Sequence, residues 1–340
     1  MNLFKRTTTA GLAGLAVLAL AVVPAAPAAA DPVPASASCT WRAEPVPVPP
    51  FAEPRSYYVD ATDGEGNFSG RTFVDQSAFG VVLWEHGEPR QLDLPAGFDS
   101  AVPAGQTRSG TVLVNATSFA TTPTTDQIFL YRDGTYQPLS LPAGYRDARA
   151  DAINDRGDVV ATASIPGSTG SVVILWSVLA AGPRVIAPPE LPYASAVDID
   201  EDGTVLLSGG YSSYLWRSGT LTPQPPSPGT PVLAREISGG NAVGTVLDVA
   251  GPKAVLWSQD TPHLLEGGGA AESVNRHGTI AGRAGAWDGP PAVWQGTSLV
   301  TKLPLPDGAA SASADLIGDD GTVFGRGDGD VGPVLWRCGS

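Results

Sequence analysis

The last ten residues, VGPVLWRCGS (331–340), decide the fold, because they contain two features that together favour one architecture. The first is Val334-Leu335-Trp336, a short motif that occurs in similar form six more times along the chain. The second is Cys338, which is one of only two cysteines, the other being Cys39 near the opposite end. The motif therefore points to a repeat, and the cysteine points to a contact between the two ends.

The Val-Leu-Trp motif recurs with a regular spacing. Its copies end at Trp84, Tyr131, Trp176, Trp216, Trp257, Trp294 and Trp336. The intervals between these aromatic residues are 47, 45, 40, 41, 37 and 42 residues. A period near forty is typical of repeat architectures, in which each copy is one small structural unit.

Each repeat predicts four short antiparallel strands and no helix. A turn precedes every motif, and its glycine is Gly66, Gly110, Gly157, Gly203, Gly240, Gly278 or Gly321. Asn, Asp or Ser usually opens this turn and glycine closes it, which is the chemistry of a β-hairpin. After each aromatic residue, a polar turn leads into an alternating strand that runs into proline, as in RQLDLP (90–95) and TKLPLP (301–306).

The first and last repeats are incomplete in complementary ways. The last repeat stops at its third strand with Trp336, whereas an unmatched strand, EPVPVPP (44–50), follows Trp41. Adding this N-terminal strand to the last three completes a four-stranded sheet, which a disulfide between Cys39 and Cys338 would fasten. The sequence predicts an all-β, seven-bladed β-propeller of four-stranded antiparallel blades over residues 39–340. Six or eight blades are the alternatives.

Two further patterns fit a propeller. The strand that begins each repeat has small residues where it would crowd the axis, at Ala148, Ala150, Ala194, Ala196, Ala270, Ala271, Ala312 and Ala314. The recurrent tryptophan is large enough to fill the gap between neighbouring blades, with Tyr131 as a substitute.

The order of the motifs in each repeat resembles that of a known protein family. AINDRGDVV (152–160), a variable loop, a motif such as ILW (174–176) and a later Leu-Pro resemble the HAF-repeat extracellular proteins of bacteria. No repeat contains the literal His-Ala-Phe. The resemblance implies a secreted, propeller-like bacterial protein, and the family offers no established chemistry to transfer.

The N-terminus predicts export. Lys5 and Arg6 precede a short apolar run that ends in Ala28-Ala29-Ala30, the pattern of a secretory signal peptide over residues 1–30. Residues 31–38 would be a disordered start of the mature chain. A lipid anchor on Cys39 is the competing interpretation, but Ser36-Ala37-Ser38 lacks the large apolar residue of a bacterial lipobox. In an oxidising compartment, Cys39 and Cys338 are expected to form a disulfide.

Charge narrows the range of partners. The mature chain has 18 Lys and Arg against 34 Asp and Glu, a net charge of −16. Only three residues are lysines, so almost all the positive charge is arginine. An acidic surface without a basic stripe argues against nucleic acid and against anionic lipid. No membrane insertion is expected, and the predicted location is extracellular.

No metal site, cofactor site or catalytic constellation is predicted. The acids of DIDEDG (198–203) resemble half of a calcium loop, but position 209 is glycine where the EF-hand pattern needs glutamate. We interpret them as turn-forming residues, because Asn replaces Asp in sister repeats. The three histidines, His86, His263 and His277, fall at different places in the repeat, so no nucleophile–base pair is indicated.

Carboxylates are the best enzymatic candidates. Six lie on or beside the predicted innermost strands, namely Asp60, Asp151, Asp198, Glu236, Glu272 and Asp315. Two carboxylates about 5 to 9 Å apart could cleave a glycosidic bond. Because almost every blade has one, we favour the interpretation that they form a regular ring that solvates a wet central channel.

The function predicted from the sequence is binding rather than catalysis. We expect a secreted, monomeric, non-enzymatic scaffold for an extracellular polysaccharide or protein, and the alternative is a carbohydrate-active hydrolase or lyase using the inner carboxylates. The loops between second and third strands vary most in length, especially at 117–125, 165–171 and 285–291. We expect any ligand on that face near the axis, with contacts from Phe119, Pro123, Tyr145, Tyr193, Tyr211 and Trp287.

Overall fold

The hairpin turns of the repeats set the architecture. All seven turn glycines predicted from the sequence have positive φ angles, between 73° and 100°, a conformation that is costly for residues with a side chain. In this computed structural model, each turn joins the first and second strands of a four-stranded antiparallel sheet. The structure describes residues 39–49, 53–165, 167–180, 182–187, 191, 193–225 and 230–339, and residues Cys39–Ser340 form one compact unit.

Six of the seven sheets are made of four consecutive strands. Blades 1 to 3 consist of β2 (Tyr57–Thr62), β3 (Phe68–Phe73), β4 (Phe79–Glu85) and β5 (Glu88–Gln91); β6 (Ser100–Gln106), β7 (Val112–Ser118), β8 (Thr125–Arg132) and β9 (Thr135–Pro138); and β10 (Arg146–Ile153), β11 (Val159–Ser164), β12 (Ser171–Trp176) and β13 (Arg184–Val185). Blades 4 to 6 consist of β14 (Ala194–Ile199), β15 (Val205–Gly209), β16 (Ser212–Arg217) and β17 (Thr220–Pro223); β18 (Val232–Ser238), β19 (Asn241–Asp248), β20 (Gly251–Ser258) and β21 (Thr261–Leu264); and β22 (Gly268–Val274), β23 (Thr279–Ala284), β24 (Pro291–Gln295) and β25 (Ser298–Lys302).

The seventh blade joins the two ends of the chain. Its strands are β26 (Ala312–Ile317), β27 (Val323–Gly327), β28 (Gly332–Gly339) and, as the outermost strand, β1 (Thr40–Pro45). A short 3₁₀ helix at Pro54–Ser56 leads from this blade into β2. The prediction of a seven-bladed propeller closed by the N-terminal strand is confirmed. The predicted signal peptide (1–30) and disordered segment (31–38) lie outside the described residues.

One detail of the closure prediction was wrong. The closing strand is not EPVPVPP (44–50) but Thr40–Pro45, which pairs with β28 from Thr40↔Gly339 to Pro45↔Val334. Prolines have no N–H to donate, so the proline-rich segment cannot continue the ladder. Only Val46 adds one more bond, from its N–H to the carbonyl of Pro333 at 3.1 Å.

The disulfide between Cys39 and Cys338 is present. The two Cα atoms lie 5.5 Å apart, within the usual range for a disulfide, and the bond spans 299 residues of sequence. It fastens the pair of strands that closes the ring. A disulfide of this kind indicates a non-reducing compartment.

The recurrent aromatic residue lies on the third strand of every blade and packs toward the preceding blade. Trp84, Trp257, Trp294 and Trp336 are fully buried. The indole N–H of Trp294 donates to the carbonyl of Glu266 at 2.9 Å, in the segment that leaves the outermost strand of the previous blade. The same bond occurs at Trp84, Trp176, Trp257 and Trp336. The predicted inter-blade role of the tryptophan is confirmed, and these five indoles also connect two blades by a hydrogen bond.

The innermost strands surround a central axis. They contact one another in the order β2, β6, β10, β14, β18, β22 and β26, and β26 contacts β2 again. We call the end of the axis where the first-to-second-strand hairpins lie the turn face. The opposite end, with the connections between second and third strands, is the loop face. Within the described residues, no helix is both long and apolar enough to cross a membrane.

Candidate functional site

Each of the seven inner strands has a β-bulge at the same position. The pairing with the second strand skips one residue, and the skipped residues are Asp60, Ala104, Asp151, Val197, Arg235, Glu272 and Asp315. A bulge bends the strand and redirects side chains, and such features concentrate near functional sites. The six carboxylates predicted from the sequence therefore occupy two positions, the bulge position and the one that follows it.

In blades 1 and 3, bulge-position acids face arginine. Asp60 forms an ion pair with Arg71 of β3, and burial raises the pKa of Asp60 to about 6 although Arg71 and Arg149 lower it. Burial also raises the pKa of Asp151 to about 6, against a hydrogen bond from Thr162 and the charge of Arg149. Arg149 thus lowers the pKa of acids in two blades that are not adjacent.

In blades 5 to 7, the same pattern continues. The Nε atom of Arg235 is 3.1 Å from Oε2 of Glu272, and Nη2 of Arg283 is 3.9 Å from Oδ1 of Asp315. Burial raises the pKa of Asp315, while the charges of Arg283, Arg326 and Arg235 lower it. All four bulge-position acids thus have arginine nearby, which partly neutralises them.

Asp198 and Glu236 occupy the following position and differ from these four. An oxygen of Asp198 accepts the backbone N–H of Ile237 in the next blade at 2.8 Å. Glu236 accepts the backbone N–H of Val274 in the blade after that at 2.9 Å. These carboxylates connect consecutive inner strands around the ring, and each accepts a backbone N–H from the next blade.

The contact repeats once more with a neutral side chain. The hydroxyl of Ser273 in blade 6 accepts the backbone N–H of Ile317 in blade 7 at 3.0 Å. In blade 2 the equivalent residue is Gly105, where an added Cβ would lie 2.7 Å from the Cγ2 atom of Ile153. In blades 4, 5 and 6 the position that follows the bulge is therefore a structural link to the next blade, and in blades 4 and 5 that link is a carboxylate.

Protonation of Asp198 and Glu236 is favoured by their surroundings. Burial raises the pKa of Asp198, and the nearby Asp200 and Glu201 raise it further, against hydrogen bonds from two backbone N–H groups. Burial also raises the pKa of Glu236, and the negative charge of Asp198 adds to the shift. Two neighbouring acids without an arginine are more stable when they carry less than two negative charges.

A polar cavity of about 140 Å³ opens at the turn face, where the ends of the inner strands meet. Its ionisable lining residues are Asp63, Asp155, Asp198, Glu201, Glu236, Asp319, Arg108 and Arg276. Arg108 pairs with Asp155 and Arg276 pairs with Asp319, in each case across to the next blade. The turn-face end of the axis is thus acidic, with most of its charges already used between blades.

The loop face differs in exposing large apolar side chains. Those in its connections and strand ends are Phe73, Val74, Phe119, Tyr193, Tyr211, Val249 and Trp287, each at least 42% exposed. They come from blades 1, 2, 4, 5 and 6 or from the connections between blades. Exposed apolar residues grouped on one face of a soluble domain commonly mark an interaction surface.

The structure shows where each residue predicted from the sequence lies. All six acids lie on inner strands, as predicted, but the expectation of one uniform ring was wrong, because the bulges separate Asp198 and Glu236 from the other four. His86 and His277 lie in turns and His263 lies in β21, so the histidines do not meet. Asp202 accepts the backbone N–H of Thr204, as the turn interpretation requires. Asp200 accepts the N–H of Glu201 in its own turn and those of Gly239 and Gly240 in the turn of the next blade. Phe119, Tyr193, Tyr211 and Trp287 are exposed, whereas Tyr145 packs against a buried apolar cluster.

The arginines beside these acids were not predicted from the sequence. Arg71, Arg149, Arg235, Arg283 and Arg326 come from β3, β10, β18, β23 and β27. The composition contained a signal for these residues, because arginine supplies nearly all the positive charge of the chain. Which arginines converge, however, depends on the ring and on the bulges, which no local pattern shows.

Comparison with known proteins supports the fold. No model of a known protein family matches the chain, and no curated protein matches it. A solved structure of a prolyl endopeptidase aligns with a TM-score of 0.55 and 14% identity over 80% of this chain, which corresponds to only 46% of the endopeptidase. YCF48 bound to D1 peptide aligns with a TM-score of 0.54 and 10% identity, covering 88% of this chain and 95% of that one.

A third structure bears on ring closure. The β-propeller domain of the Trilobed protease from Pyrococcus furiosus aligns with a TM-score of 0.52 and 10% identity, over 74% of this chain and 86% of that domain. That domain is described as having an open velcro topology, whereas here β1 completes the sheet of β26, β27 and β28. At these identities the likeness concerns the fold alone.

Proposed function

We propose that this protein is a secreted, non-enzymatic propeller that binds an extracellular partner through its loop face. The observation that carries the proposal is the set of large apolar side chains exposed there. The other described exposed apolar residues lie on outer strands, in the turn after β12, or, for Leu305, in the connection from β25 to β26, which is of the same kind as the connection that contains Tyr193. A rigid ring that presents variable connections on one face is a common basis for binding.

The inner carboxylates support binding over catalysis. General acid–base chemistry needs a carboxyl group that can reach the substrate. Here Asp198 and Glu236 accept backbone N–H bonds from the next blade, and Asp60, Asp151, Glu272 and Asp315 lie beside arginine. These contacts give the acids structural roles.

The alternative function remains a carbohydrate-active hydrolase or lyase. It is favoured by one observation, the raised pKa values of the neighbouring acids Asp198 and Glu236, because shifted pairs of this kind occur at active sites. Propellers serve in both binding proteins and peptidases, so the fold does not choose between the two.

One experiment separates these functions. The oxidised protein is incubated with a panel of insoluble polysaccharides and with immobilised extracellular proteins, and both retention and release of soluble products are measured. We expect retention without product release. Phe119→Ala and Trp287→Ala, on the loop face, should each reduce retention at least tenfold, whereas Leu179→Ala, in a turn at the opposite face, should not. Leu179 is 88% exposed and is therefore a matched control.

Two results would contradict the proposal. Equal losses in the Leu179→Ala variant and the loop-face variants would show that the surface is not specific. Product release that disappears in Glu236→Gln or Asp198→Asn, with folding preserved, would show a hydrolase or lyase instead.

A further inference from the structure

The loop-face end of the axis carries no excess of positive charge, because acids lie beside its arginines. The same balance holds in a pocket of about 280 Å³ between blades 6 and 7, which we call the blade 6–7 pocket. Its polar lining residues are Arg283, Arg326, Asp288, Asp328, Ser311 and Ser313. Two arginines and two aspartates leave this pocket without a net charge, so it gives no Coulombic advantage to an anion or to a cation.

Contacts within the protein hold one wall of the pocket in place. Oδ1 of Asp328 accepts the backbone N–H of Ala310 and Oδ2 accepts the hydroxyl of Ser311, both at 2.9 Å. The guanidinium group of Arg326 donates to the carbonyl of Tyr57 in blade 1. This wall is therefore formed before any ligand arrives, as is usual for small-ligand sites.

The opposite wall keeps hydrogen-bonding capacity for a ligand. Asp288 is exposed, and a carboxylate can accept hydrogen bonds at both of its oxygens. Nη1 of Arg283 donates to the carbonyl of Trp287 at 2.8 Å, but its Nη2 atom lies 3.9 Å from Oδ1 of Asp315, beyond hydrogen-bond distance. Because a guanidinium group has five N–H donors, Arg283 has donors left for a ligand.

The connection that contains Asp288 also presents an exposed indole. Trp287 directly precedes Asp288 and is 42% exposed. Backbone hydrogen bonds fix this connection, since the N–H of Gly285 donates to the carbonyl of Gly267 at 2.8 Å and the N–H of Gly289 donates within the connection. An aromatic residue on a fixed backbone loses little conformational freedom when it binds a ligand.

The lining of the pocket fits a neutral ligand that is rich in hydroxyl groups. Carboxylate and guanidinium groups are planar and can each make two hydrogen bonds to adjacent groups. Neighbouring hydroxyls of a sugar ring both donate and accept, so they can use both kinds of group. The C–H face of the ring can stack on the negative face of an aromatic side chain. An apolar peptide side chain would find little to contact, because Ala312 is the only apolar side chain among the lining residues.

We propose that the blade 6–7 pocket binds a sugar unit of a neutral polysaccharide, with the sugar hydroxyls on Arg283 and Asp288 and the sugar ring against Trp287. This inference rests on the proposed binding function and specifies the class of ligand. The volume of about 280 Å³ is close to the lower limit of about 300 Å³ for small-ligand pockets. It suits a short stretch of a polymer, the rest of which would extend over the loop face, where Phe119 and Tyr211 are also exposed.

Salt dependence provides a signature of this kind of binding. Salt screens the attraction between opposite charges, so the affinity for an ion-paired ligand falls as the ionic strength rises. A neutral polysaccharide in a pocket without net charge is held by hydrogen bonds and stacking instead. Its affinity should therefore change by less than about twofold when the salt concentration rises tenfold.

The test uses biotinylated polysaccharides immobilised on a biosensor, with the oxidised full-length protein in solution. The neutral probes are dextran, mannan, galactan and arabinoxylan, and the charged probes are polygalacturonate and glycol chitosan. We expect at least one neutral polysaccharide to bind more tightly than either charged one, with little dependence on salt.

Substitutions then assign the binding to the pocket. Trp287→Ala and Asp288→Asn should each weaken binding about tenfold, the effect of losing one stacking contact or one hydrogen bond to a charged group. Trp287→Phe keeps an aromatic ring and should retain most of the affinity. Thermal melting of every variant shows whether a loss of binding merely reflects a loss of folding.

Two variants serve as matched controls. Asp133→Asn removes the same charge from an exposed turn at the opposite face, and asparagine tolerates the positive φ angle of 52° there. Val249→Ala removes a fully exposed apolar side chain from the loop face of blade 5, outside the pocket. We expect both variants to bind like the wild-type protein.

Several outcomes would overturn the inference. These are no binding of any neutral polysaccharide, tighter binding of polygalacturonate or glycol chitosan, or the same weakening in Asp133→Asn as in Asp288→Asn. Equal losses in Val249→Ala and Trp287→Ala would assign the polysaccharide to the loop face as a whole and not to this pocket. If no neutral polysaccharide binds but Trp287→Ala still abolishes retention on an immobilised protein, the proposed function stands and only this inference fails.

Discussion

Removing the disulfide should cause a large loss of stability, because Cys39 and Cys338 close a loop of 299 residues. A cross-link restricts the unfolded chain, and in the chain-entropy model a loop of this length contributes about 5 to 6 kcal/mol to the free energy of unfolding. The folded ring itself changes little in the double variant Cys39→Ser/Cys338→Ser. The pairing of β1 with β28, from Thr40↔Gly339 to Pro45↔Val334, does not need the bond.

Urea unfolding followed by tryptophan fluorescence measures this loss. For a chain of this size the unfolding free energy falls by about 3 kcal/mol per molar urea, so the midpoint should fall by about 2 M. The matched control is the wild-type protein in reductant, which should unfold at the same urea concentration as the double variant. The reasoning is refuted if oxidised wild type, reduced wild type and the double variant have midpoints within about 0.3 M of one another.

Two further predictions concern Glu236 on an inner strand and Gly325 on the strand that pairs with one. Glu236 has a raised pKa, so the folded state binds its proton more tightly than the unfolded state, and its contribution is full at low pH and is lost as the pH rises. Glu236→Gln keeps an oxygen for the N–H of Val274 and removes the charge, so its unfolding free energy should fall less than that of wild type between pH 5 and pH 9; parallel curves would contradict this. Gly325→Ala should cost about 1 to 3 kcal/mol by thermal melting, because its Cβ would lie 1.8 Å from the carbonyl oxygen of Ser313. Gly182→Ala, which meets nothing within 4 Å, should stay within about 0.5 kcal/mol of wild type, and equal effects of the two substitutions would show that the close approach is not what matters.

The inner-strand carboxylates show where sequence reasoning stops. Their place on the first strand of each repeat follows from the alternation of strands and turns, and all six lie there. The residues that each carboxylate contacts do not follow from that alternation. A bulge shifts the direction of every later side chain on the strand, so Glu272 faces an arginine while Glu236 accepts a backbone N–H from the next blade. The apolar contacts of the loop face have the same origin, since Phe119 and Trp287 come from blades far apart in sequence.

The sequence by itself determined the repeating unit and the closure of the ring. The glycine turns, the alternating strands and the regular tryptophans act over a few residues each, so their physical consequences can be read locally. The disulfide was also accessible, because only Cys39 and Cys338 were present to form it. Only the tertiary structure decided which charges meet at the axis, since most of those contacts join residues of different blades, such as Arg235 with Glu272 and Arg283 with Asp315. They depend on how the blades are arranged around the ring and on where each inner strand bulges, and these are properties of packing rather than of any single segment.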